Sequence, residues 1–268
     1  MKKERIDVLL TQLGYFNSRE SAKRAIMAGL VLVNQERIDK PGEKVPVEAI
    51  ITVKGNVCPY VSRGGLKLEK AIQTFDIDLN QKTIIDIGSS TGGFTDCALQ
   101  NGAKLSYAVD VGYNQLDWKI RQDERVVCME RTNFRYMTPA DLAYGAPQFA
   151  CIDVSFISLK IIFPVLKQLL EKNGEVVALI KPQFEAGKDQ VGKKGIVRDP
   201  KVHIKVVKDI LAFITALDLS VLGLTYSPIK GGEGNIEFLV HIGYYDKVCT
   251  QVDEREIERV VSEAHHQL

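Results

Sequence analysis

Hydrophobic and polar residues change their spacing after about the first 60 positions of the chain. In the first part, apolar residues recur at helical intervals over 5–13 and 19–28, and short β-rich segments follow at 30–33 and 50–53. From residue 66 onward, short apolar runs alternate with amphipathic stretches. Strands that alternate with helices are typical of a doubly wound, mostly parallel sheet. The pattern therefore predicts a small α+β domain followed by a larger α/β domain.

The boundaries follow from this pattern. We expect a small domain at 1–59, a linker at 60–65, an α/β domain at 66–245 and a tail at 246–268. The predicted strands of the α/β domain are 83–87, 105–109, 126–129, 149–154, 175–180, 220–226 and 237–243. Its predicted helices are 66–75, 94–101, 116–121, 159–172 and 202–217. The tail has a helical pattern, and the sequence leaves open whether that helix docks on the domain or frays.

Composition excludes several classes of protein. The chain has 268 residues, of which 45% are hydrophobic and 26% charged, so it can bury a sizeable core and is not a disordered chain or a small disulfide scaffold. The five cysteines form no Cys-x-x-Cys pair, which argues against a zinc ribbon and fits a reducing cytosol. The sequence has no apolar run of membrane-spanning length and no signal-peptide pattern, so we expect a cytoplasmic protein. We also expect it to be a monomer.

Net charge is only +1, so any binding to nucleic acid must come from local clusters of basic residues. One such cluster lies on the second predicted helix, where Arg19, Lys23 and Arg24 fall within two turns. Those charges alone are also compatible with an ordinary solvated helix face. The first 60 residues nevertheless contain three motifs in a particular order: Arg-Ile-Asp-x-Leu-Leu at 5–10, Ser-Arg-x-x-Ala-x-x-x-Ile at 18–26, and Gly-x-Val-x-Val-Asn at 29–34.

Together these motifs resemble the small RNA-binding domain of ribosomal protein S-four. The resemblance implies that one face of the second helix meets RNA phosphates and positions the protein on structured RNA by shape. The RNA contacts expected in this domain are Arg5, Ser18, Arg19, Lys23 and Arg24. Ser18, or its neighbour Asn17, is also a candidate cap for the helix.

A glycine-rich turn follows the first predicted strand of the α/β domain. It reads Asp-Ile-Gly-Ser-Ser-Thr-Gly-Gly-Phe over 86–94, which is neither a dinucleotide fingerprint nor a Walker A loop. Asp86 comes at the tip of this strand, where a carboxylate could meet an aminoacyl ammonium. Asp110 ends the next strand, where an acid typically accepts the hydroxyls of a ribose. The combination indicates S-adenosylmethionine binding, whereas a merely tight turn would explain the glycines without the two acids.

Four chemistry-bearing residues lie on separate predicted elements. Lys67 follows Ser-Arg-Gly-Gly-Leu, Asp153 ends the fourth strand, Lys181 ends the fifth, and Glu237 falls in a late strand. In this order they resemble the Lys-Asp-Lys-Glu tetrad of the FtsJ-type ribose 2′-O-methyltransferases. The resemblance implies a Rossmann-like class I S-adenosylmethionine-dependent methyltransferase sheet, with a catalytic set comprising Lys67, Asp153, Lys181 and Glu237.

Longer runs narrow the resemblance. The fused N-terminal domain and the segments Asp-Ile-Gly-Ser-Ser-Thr-Gly-Gly-Phe-Thr-Asp and Ile-Lys-Pro-Gln-Phe-Glu-Ala-Gly look like the TlyA family, whose members are sometimes labelled hemolysins. That family implies an rRNA (cytidine-2′-O)-methyltransferase acting on 16S or 23S rRNA in ribosomal subunits. The cofactor contacts implied by the resemblance and the loop are Asp86, Gly88, Ser89, Ser90, Thr91, Gly92, Gly93, Phe94, Asp110, Val111, Asn133, Phe134 and Asp153.

One position departs from the FtsJ pattern. An Asp often precedes Phe-Arg in those enzymes, whereas this chain has Asn133, whose carbonyl oxygen could still accept a bond from the adenine amino group. The methyl donor is a sulfonium and already activated, so the chemistry implies no metal. Lys181 can act as the general base only if its pKa falls, which Lys67 would favour and Asp153 would oppose, and the sequence leaves that balance open.

A basic segment at 184–201 follows the fifth predicted strand. We interpret it as an RNA clamp, although an ordinary solvated loop would have a similar composition. The RNA contacts expected outside the first domain are Arg63, Lys188, Lys193, Lys194 and Arg198. Two other functions stay open on the sequence alone: a non-catalytic RNA-binding factor in ribosome assembly, which the intact tetrad disfavours, and a hemolysin, which the lack of a membrane segment disfavours.

Overall fold

A computed structural model describes residues 3–16, 18–54 and 58–268, and the candidate cap Asn17 lies outside these residues. The chain divides into two compact units, Met1–Pro59 and Tyr60–Leu268.

The first unit has two helices and five short strands. The helices are α1 (Ile6–Gln12) and α2 (Arg19–Met27); the strands are β1 (Lys3–Arg5), β2 (Val31–Val33), β3 (Glu36–Arg37), β4 (Lys44–Pro46) and β5 (Ile51–Val53). Strand β1 pairs antiparallel with β4, and β2 lies between β3 and β5 in a second antiparallel sheet. Sequence patterns did not predict β1 and β4, because strands of three residues are too short to show alternation.

Apolar side chains from both helices and from β2 form the core of this unit, among them Ile6, Leu10, Ile26 and Val31, each with no exposed surface. Ser18 caps α2, because its hydroxyl accepts a hydrogen bond from the Ser21 amide.

Asp7 is a buried charge in the first unit. Its carboxylate is inaccessible and pairs with Arg5 Nε at 3.0 Å and with an Arg19 guanidinium nitrogen at 2.8 Å. The hydrogen bond from Arg5 is the main cause that lowers the pKa of Asp7 to about 2, with Arg19 adding to it against the cost of burial. Asp7 thus ties β1 and the start of α1 to the start of α2.

The second unit is a seven-stranded sheet covered by helices on both faces. Its strands are β6 (Thr83–Ile87), β7 (Leu105–Val109), β8 (Val126–Met129), β9 (Phe149–Ile152), β10 (Glu175–Ile180), β11 (Ser220–Tyr226) and β12 (Phe238–Gly243). Its helices are α3 (Gly65–Phe75), α4 (Gly93–Gln100), α5 (Trp118–Arg121), α6 (Leu159–Leu169), α7 (Pro182–Glu185), α8 (Pro200–Ala216) and α9 (Glu254–Gln267).

The strand order is β11-β12-β10-β9-β6-β7-β8. Strands β6 to β10 are parallel, and β12 runs antiparallel to both of its neighbours. From β6 the chain first builds one side of the sheet through β7 and β8, and then the other through β9 and β10. This reversal opens a crevice at the carboxyl ends of β6 and β9, which is where open α/β sheets bind ligands.

Every predicted strand and helix of the second unit forms, with corrections at several ends. The fourth strand ends at Ile152 rather than at 154, and the last begins at Phe238, so Glu237 comes just before it. The helix predicted at 116–121 begins at Trp118, because the Asp117 side chain caps it by accepting from the Lys119 amide. The tail helix is docked, since Ile257 and Val261 are buried in the main core. No helix within the described ranges is long and apolar enough to cross a membrane.

Replacing Asp7 with Asn should destabilise the first unit, because the amide cannot pair with two arginines. We expect the free energy of unfolding to fall by roughly 1–3 kcal/mol near neutral pH. Because the pKa of Asp7 is lowered in the folded state, its contribution is present above about pH 4 and is lost as the pH falls toward 2. Urea unfolding of both proteins at pH 7 and pH 3 measures this, and an equal difference at the two pH values would contradict it.

Candidate active site

Two adjoining cavities lie at the carboxyl edge of the sheet. The smaller, of about 510 Å³, is lined by Lys67, Asp153, Lys181 and Glu237 together with the glycine-rich turn. The larger, of about 760 Å³, runs from the glycine-rich turn past the ends of β7 and β9. They share Gly88, Ser90, Asp153 and Ser155, so a molecule in the larger cavity would contact the residues of the smaller one.

Four predicted catalytic side chains form one chain of ion pairs in the smaller cavity. Lys67 Nζ lies 2.8 Å from Glu237 Oε2 and 3.2 Å from Asp153 Oδ2. Asp153 Oδ1 lies 2.5 Å from Lys181 Nζ, which also donates to Ser155 Oγ at 3.2 Å. Lys67, Lys181 and Glu237 are each less than 10% exposed. Two positive and two negative charges therefore compensate one another where water is largely excluded.

The carboxylates determine the charge of Lys67. Burial lowers its pKa, but the opposing effect of Asp153 and Glu237 is larger in sum, so the pKa is raised. Asp153 behaves in the complementary way: burial raises its pKa, and the charges of Lys67 and Lys181 together leave it lowered. The arrangement keeps Lys67 protonated and Asp153 ionised at neutral pH. Gln183 Nε2 adds a 3.4 Å contact to Glu237 Oε1, a neighbour that sequence reasoning did not identify.

Gly88 lets the glycine-rich turn approach Asp153. Its φ is +86°, and a Cβ atom there would stand 2.6 Å from the backbone oxygen of Asp153. Any side chain would push the turn away from the end of β9. The next part of the turn is held by Asp110: its Oδ2 accepts from the Ser90 amide at 2.8 Å, and its Oδ1 accepts from the Gly112 amide at 2.7 Å. A second lone pair on each oxygen is available in principle for another donor.

Most of the predicted cofactor residues line one of the two cavities. They are Gly88, Ser89, Ser90, Thr91, Gly93, Phe94, Asp110, Val111, Asn133, Phe134 and Asp153. Asp86 and Gly92 do not. Gly92 is instead the N-cap of α4, with a φ of +95°, and a Cβ atom there would stand 2.9 Å from Leu116 Cδ1.

The position of Asp86 differs from the expectation that its carboxylate meets a ligand at the strand tip. Its side chain is fully buried inside the sheet–helix layer, and Oδ2 accepts from the Thr95 amide at 3.0 Å and the Thr95 hydroxyl at 2.7 Å. It therefore secures the first turn of α4 from below. Burial is the main cause that raises the pKa of Asp86 to about 7, despite the Thr95 bonds. Strand alternation explains the error, because residue 86 points to the opposite face from its neighbours.

Asn133 lines the larger cavity, but its carbonyl oxygen is already engaged. Oδ1 accepts from the backbone amide and from Nε of Arg135, both at 3.2 Å, and so caps a short 3₁₀ turn. It would have to release one of these bonds to accept from an adenine amino group. Next to it, Phe134 is buried and forms an apolar part of the cavity wall.

Two cavity-lining segments were not found by sequence reasoning. Residues 154–158 follow Asp153, and within them Phe156 is 91% exposed with a φ of +63°. Residues 229–232 line the smaller cavity, and a Cβ atom on Gly231 would stand 2.0 Å from Glu237 Oε1. The Gly-Gly pair at 231–232 was the available signal, since it permits close approach to a neighbouring side chain.

The basic residues predicted to bind RNA occupy exposed or half-buried positions, and their neighbours differ between the two units. In the first unit, Arg5 and Arg19 are paired with Asp7, and Lys23 is paired with Glu20. Arg24 lies 3.5 Å from Ser21 Oγ.

In the second unit, Arg63 lines the smaller cavity. Helices α7 and α8 leave residues 186–199 between them, which we name the basic loop. Its exposed cations are Lys188, Lys193, Lys194 and Arg198.

Sheet order, the reversed β12 and the cleft beside the glycine-rich turn define a class I S-adenosylmethionine-dependent methyltransferase fold. The chain belongs to the FtsJ-like methyltransferase family, whose model matches residues 60–244, and an S4 domain model matches residues 4–51. Among the described residues, no group of three or more His, Cys, Asp or Glu side chains is placed to hold a metal ion.

Individual relatives agree with this assignment. A candidate rRNA methyltransferase of Bacillus subtilis, YqxC, is 62% identical over 269 residues, covering 100% of this chain and 96% of that protein. The 16S/23S rRNA (cytidine-2′-O)-methyltransferase TlyA of Mycobacterium tuberculosis is 38% identical over 240 residues, covering 89% of each chain. A solved structure of a candidate hemolysin from Streptococcus thermophilus is 55% identical with a TM-score of 0.80, covering 100% of this chain and 97% of that one.

Asp86 should make the stability of the chain depend on pH. Because its pKa is raised in the folded state, unfolding releases a proton between about pH 4 and pH 7, and stability falls as the pH rises through that range. Asp86→Asn should remove this dependence, which is at most about 1.4 kcal/mol per pH unit. Urea unfolding of both proteins from pH 5 to pH 8 measures the slopes, and parallel profiles would contradict the expectation.

Proposed function

We propose that the chain is an S-adenosylmethionine-dependent rRNA methyltransferase that methylates cytidine ribose 2′-hydroxyls of 16S or 23S rRNA in ribosomal subunits in the cytoplasm. The observation that carries the proposal is the buried chain of ion pairs from Glu237 to Lys181, next to the cleft of the glycine-rich turn. The substrate class rests on the name of the TlyA relative, and the S4 domain supports an RNA substrate.

The residues of the larger cavity fit the proposed cofactor. S-adenosylmethionine, when bound, supplies an activated methyl group on a sulfonium. Asp110 has acceptor capacity for two ribose hydroxyls, and Phe134 offers an apolar surface for an adenine ring. Gly88 and Asp153 lie where both cavities meet, so the transferred group would face the ion-pair chain.

The two lysines have different roles in this proposal. Lys67 is held between two carboxylates and stays protonated, so it can donate to the developing oxyanion but cannot accept a proton. Lys181, in contrast, contacts one carboxylate and one hydroxyl, and it lies at the end of β10 beside the cleft. We therefore assign Lys181 to receive the proton of the ribose hydroxyl. Asp153 orients both ammonium groups, and Glu237 fixes Lys67.

Replacing Lys181 with Ala should abolish methyl transfer while leaving cofactor binding nearly unchanged. Losing one general base typically costs about 10²–10⁴-fold in rate. Lys181→Arg should also lose methyl transfer, because a guanidinium stays charged and cannot accept the proton. Transfer of labelled methyl groups to ribosomal subunits gives the rate, and calorimetry with S-adenosylmethionine gives the affinity.

The outcomes separate the possible functions. If wild type binds subunits but transfers no methyl group, the chain is a non-catalytic RNA-binding factor. Near-normal turnover of Lys181→Arg would mean that Lys181 acts through its charge alone, and its role as a base would have to be abandoned.

A second prediction concerns the S4 domain, which we propose supplies RNA affinity without chemistry. Replacing Arg19, Lys23 and Arg24 together with Ala should weaken RNA binding and reduce its salt dependence, by about one slope unit per lost phosphate contact at most. Since Asp7 and Glu20 already pair with two of these cations, the measured reduction should fall below the maximum of about three. Filter binding from 50 to about 300 mM salt gives the slope.

A matched control removes three cations of the second unit that precede the amino ends of β6, β7 and β10, and two of them are also ion-paired: Lys82, Lys104 and Lys172. Wild-type affinity and slope in the α2 variant, or an equal loss in the control, would show that α2 does not bind the RNA.

A further inference from the structure

Asn235 is a buried polar side chain that the proposed reaction does not use. It is 3% exposed and makes three hydrogen bonds to backbone groups. Its Oδ1 accepts from the Val197 amide at 3.1 Å, and its Nδ2 donates to the Gly195 carbonyl at 2.9 Å and the Gly232 carbonyl at 3.1 Å. A buried amide with all of these partners joins segments that are far apart in the sequence.

One side of this junction is the basic loop. Val197 is the buried residue of that loop, at 2% exposure, while its cationic neighbours face solvent. The Val197 carbonyl also contacts His203 Nε2 at 3.1 Å, and His203 Nδ1 lies 2.9 Å from His265 Nε2 on α9. Because a carbonyl can only accept, His203 carries its proton on Nε2 and receives the bond from His265. The loop is thus anchored through both polar backbone groups of Val197.

The other side of the junction is the turn that covers Glu237. Backbone bonds close this turn, from the Gly231 amide to the Asn235 carbonyl at 2.9 Å and from the Asn235 amide to the Gly232 carbonyl at 3.2 Å. Gly231 lies directly against the Glu237 carboxylate. Asn235 is two residues from Glu237 in the chain, and Glu237 holds Lys67 at 2.8 Å.

We propose that Asn235 is a positioning residue that couples the basic loop to the catalytic ion pairs. It holds the basic loop at Gly195 and Val197, and the same side chain fixes the turn that lies against Glu237. The inference rests on the proposed function, because the loop acts on RNA phosphates and the ion pairs act on the ribose. When Asn235 loses its donors, the loop detaches from the turn, and phosphates are no longer held in register with the reacting hydroxyl.

Asn235→Asp is the informative substitution, because it keeps the acceptor for Val197 but replaces the donor to Gly195 and Gly232 with an oxygen. Two bonds are lost and two carbonyls face a carboxylate, so the loop should open more often. Trypsin cleaves after the four cations of the basic loop, and we expect cleavage there to be about 10- to 100-fold faster than in wild type. Asn173→Asp, at an exposed turn before β10, is the control with the same change of charge.

The kinetic consequence separates positioning from general destabilisation. In Asn235→Asp, kcat for methyl transfer to subunits should fall by about tenfold and KM for RNA should rise, while the affinity for S-adenosylmethionine stays within about twofold. Loop cleavage at the wild-type rate overturns the anchor. Faster cleavage with unchanged kcat and KM overturns the coupling, and so does an equal loss of kcat and cofactor affinity.

Hydrogen exchange and proteolysis test the anchor if the variant does not fold or if wild type transfers no methyl group. If Asn235→Asp does not fold, hydrogen exchange on wild type decides: the Val197 amide should exchange at least about 100-fold more slowly than that of Lys194 in the same loop, and equal rates overturn the anchor. If wild type transfers no methyl group at all, the proposed function fails and the coupling fails with it. Proteolysis of wild type and Asn235→Asp still shows in that case whether the anchor itself exists.

Discussion

Asp153 is the side chain on which the arrangement of the site depends. Its two carboxylate oxygens pair with two different lysines, and one of these lysines continues to Glu237. Buried charges are tolerated only when they are compensated, so removing any one member would leave an unpaired charge on a largely buried side chain. The four residues therefore act as one unit, and the fold has to bring α3, the ends of β9 and β10 and the start of β12 to the same place.

The same aspartate links this unit to the cleft. Gly88 packs against the backbone oxygen of Asp153 so closely that no side chain fits, and both cavities share these two residues. Asp110 holds the glycine-rich turn directly, by accepting from the Ser90 amide. Asp86 holds it indirectly, because it bonds Thr95 in the helix α4 that follows the turn. Two acids that look equivalent in the sequence thus stabilise the turn from opposite sides, and only Asp110 reaches the cavity.

Charge compensation also shapes the first unit. Asp7 binds Arg5 and Arg19, two of the cations that were expected to meet RNA. These arginines stabilise the unit and can still present part of their guanidinium groups to a phosphate, because their side chains are about half exposed. The electrostatic attraction for RNA is correspondingly smaller than the number of basic residues suggests.

By itself, the sequence determined the strands and helices of the sheet, the class of fold and the four residues that converge at its edge. The strands and the class of fold follow from continuous apolar runs, which are typical of buried parallel strands. The four residues follow from their resemblance to the tetrad of the FtsJ-type methyltransferases. Tertiary structure decided what depends on side-chain direction and on contacts distant in sequence. The Asp86 side chain points into the layer under α4, and the Asn133 side chain bonds Arg135. Helix α9 packs on the core, and Asn235 lies between two loops. Such contacts leave no periodic signal, since each joins segments whose spacing along the chain is arbitrary.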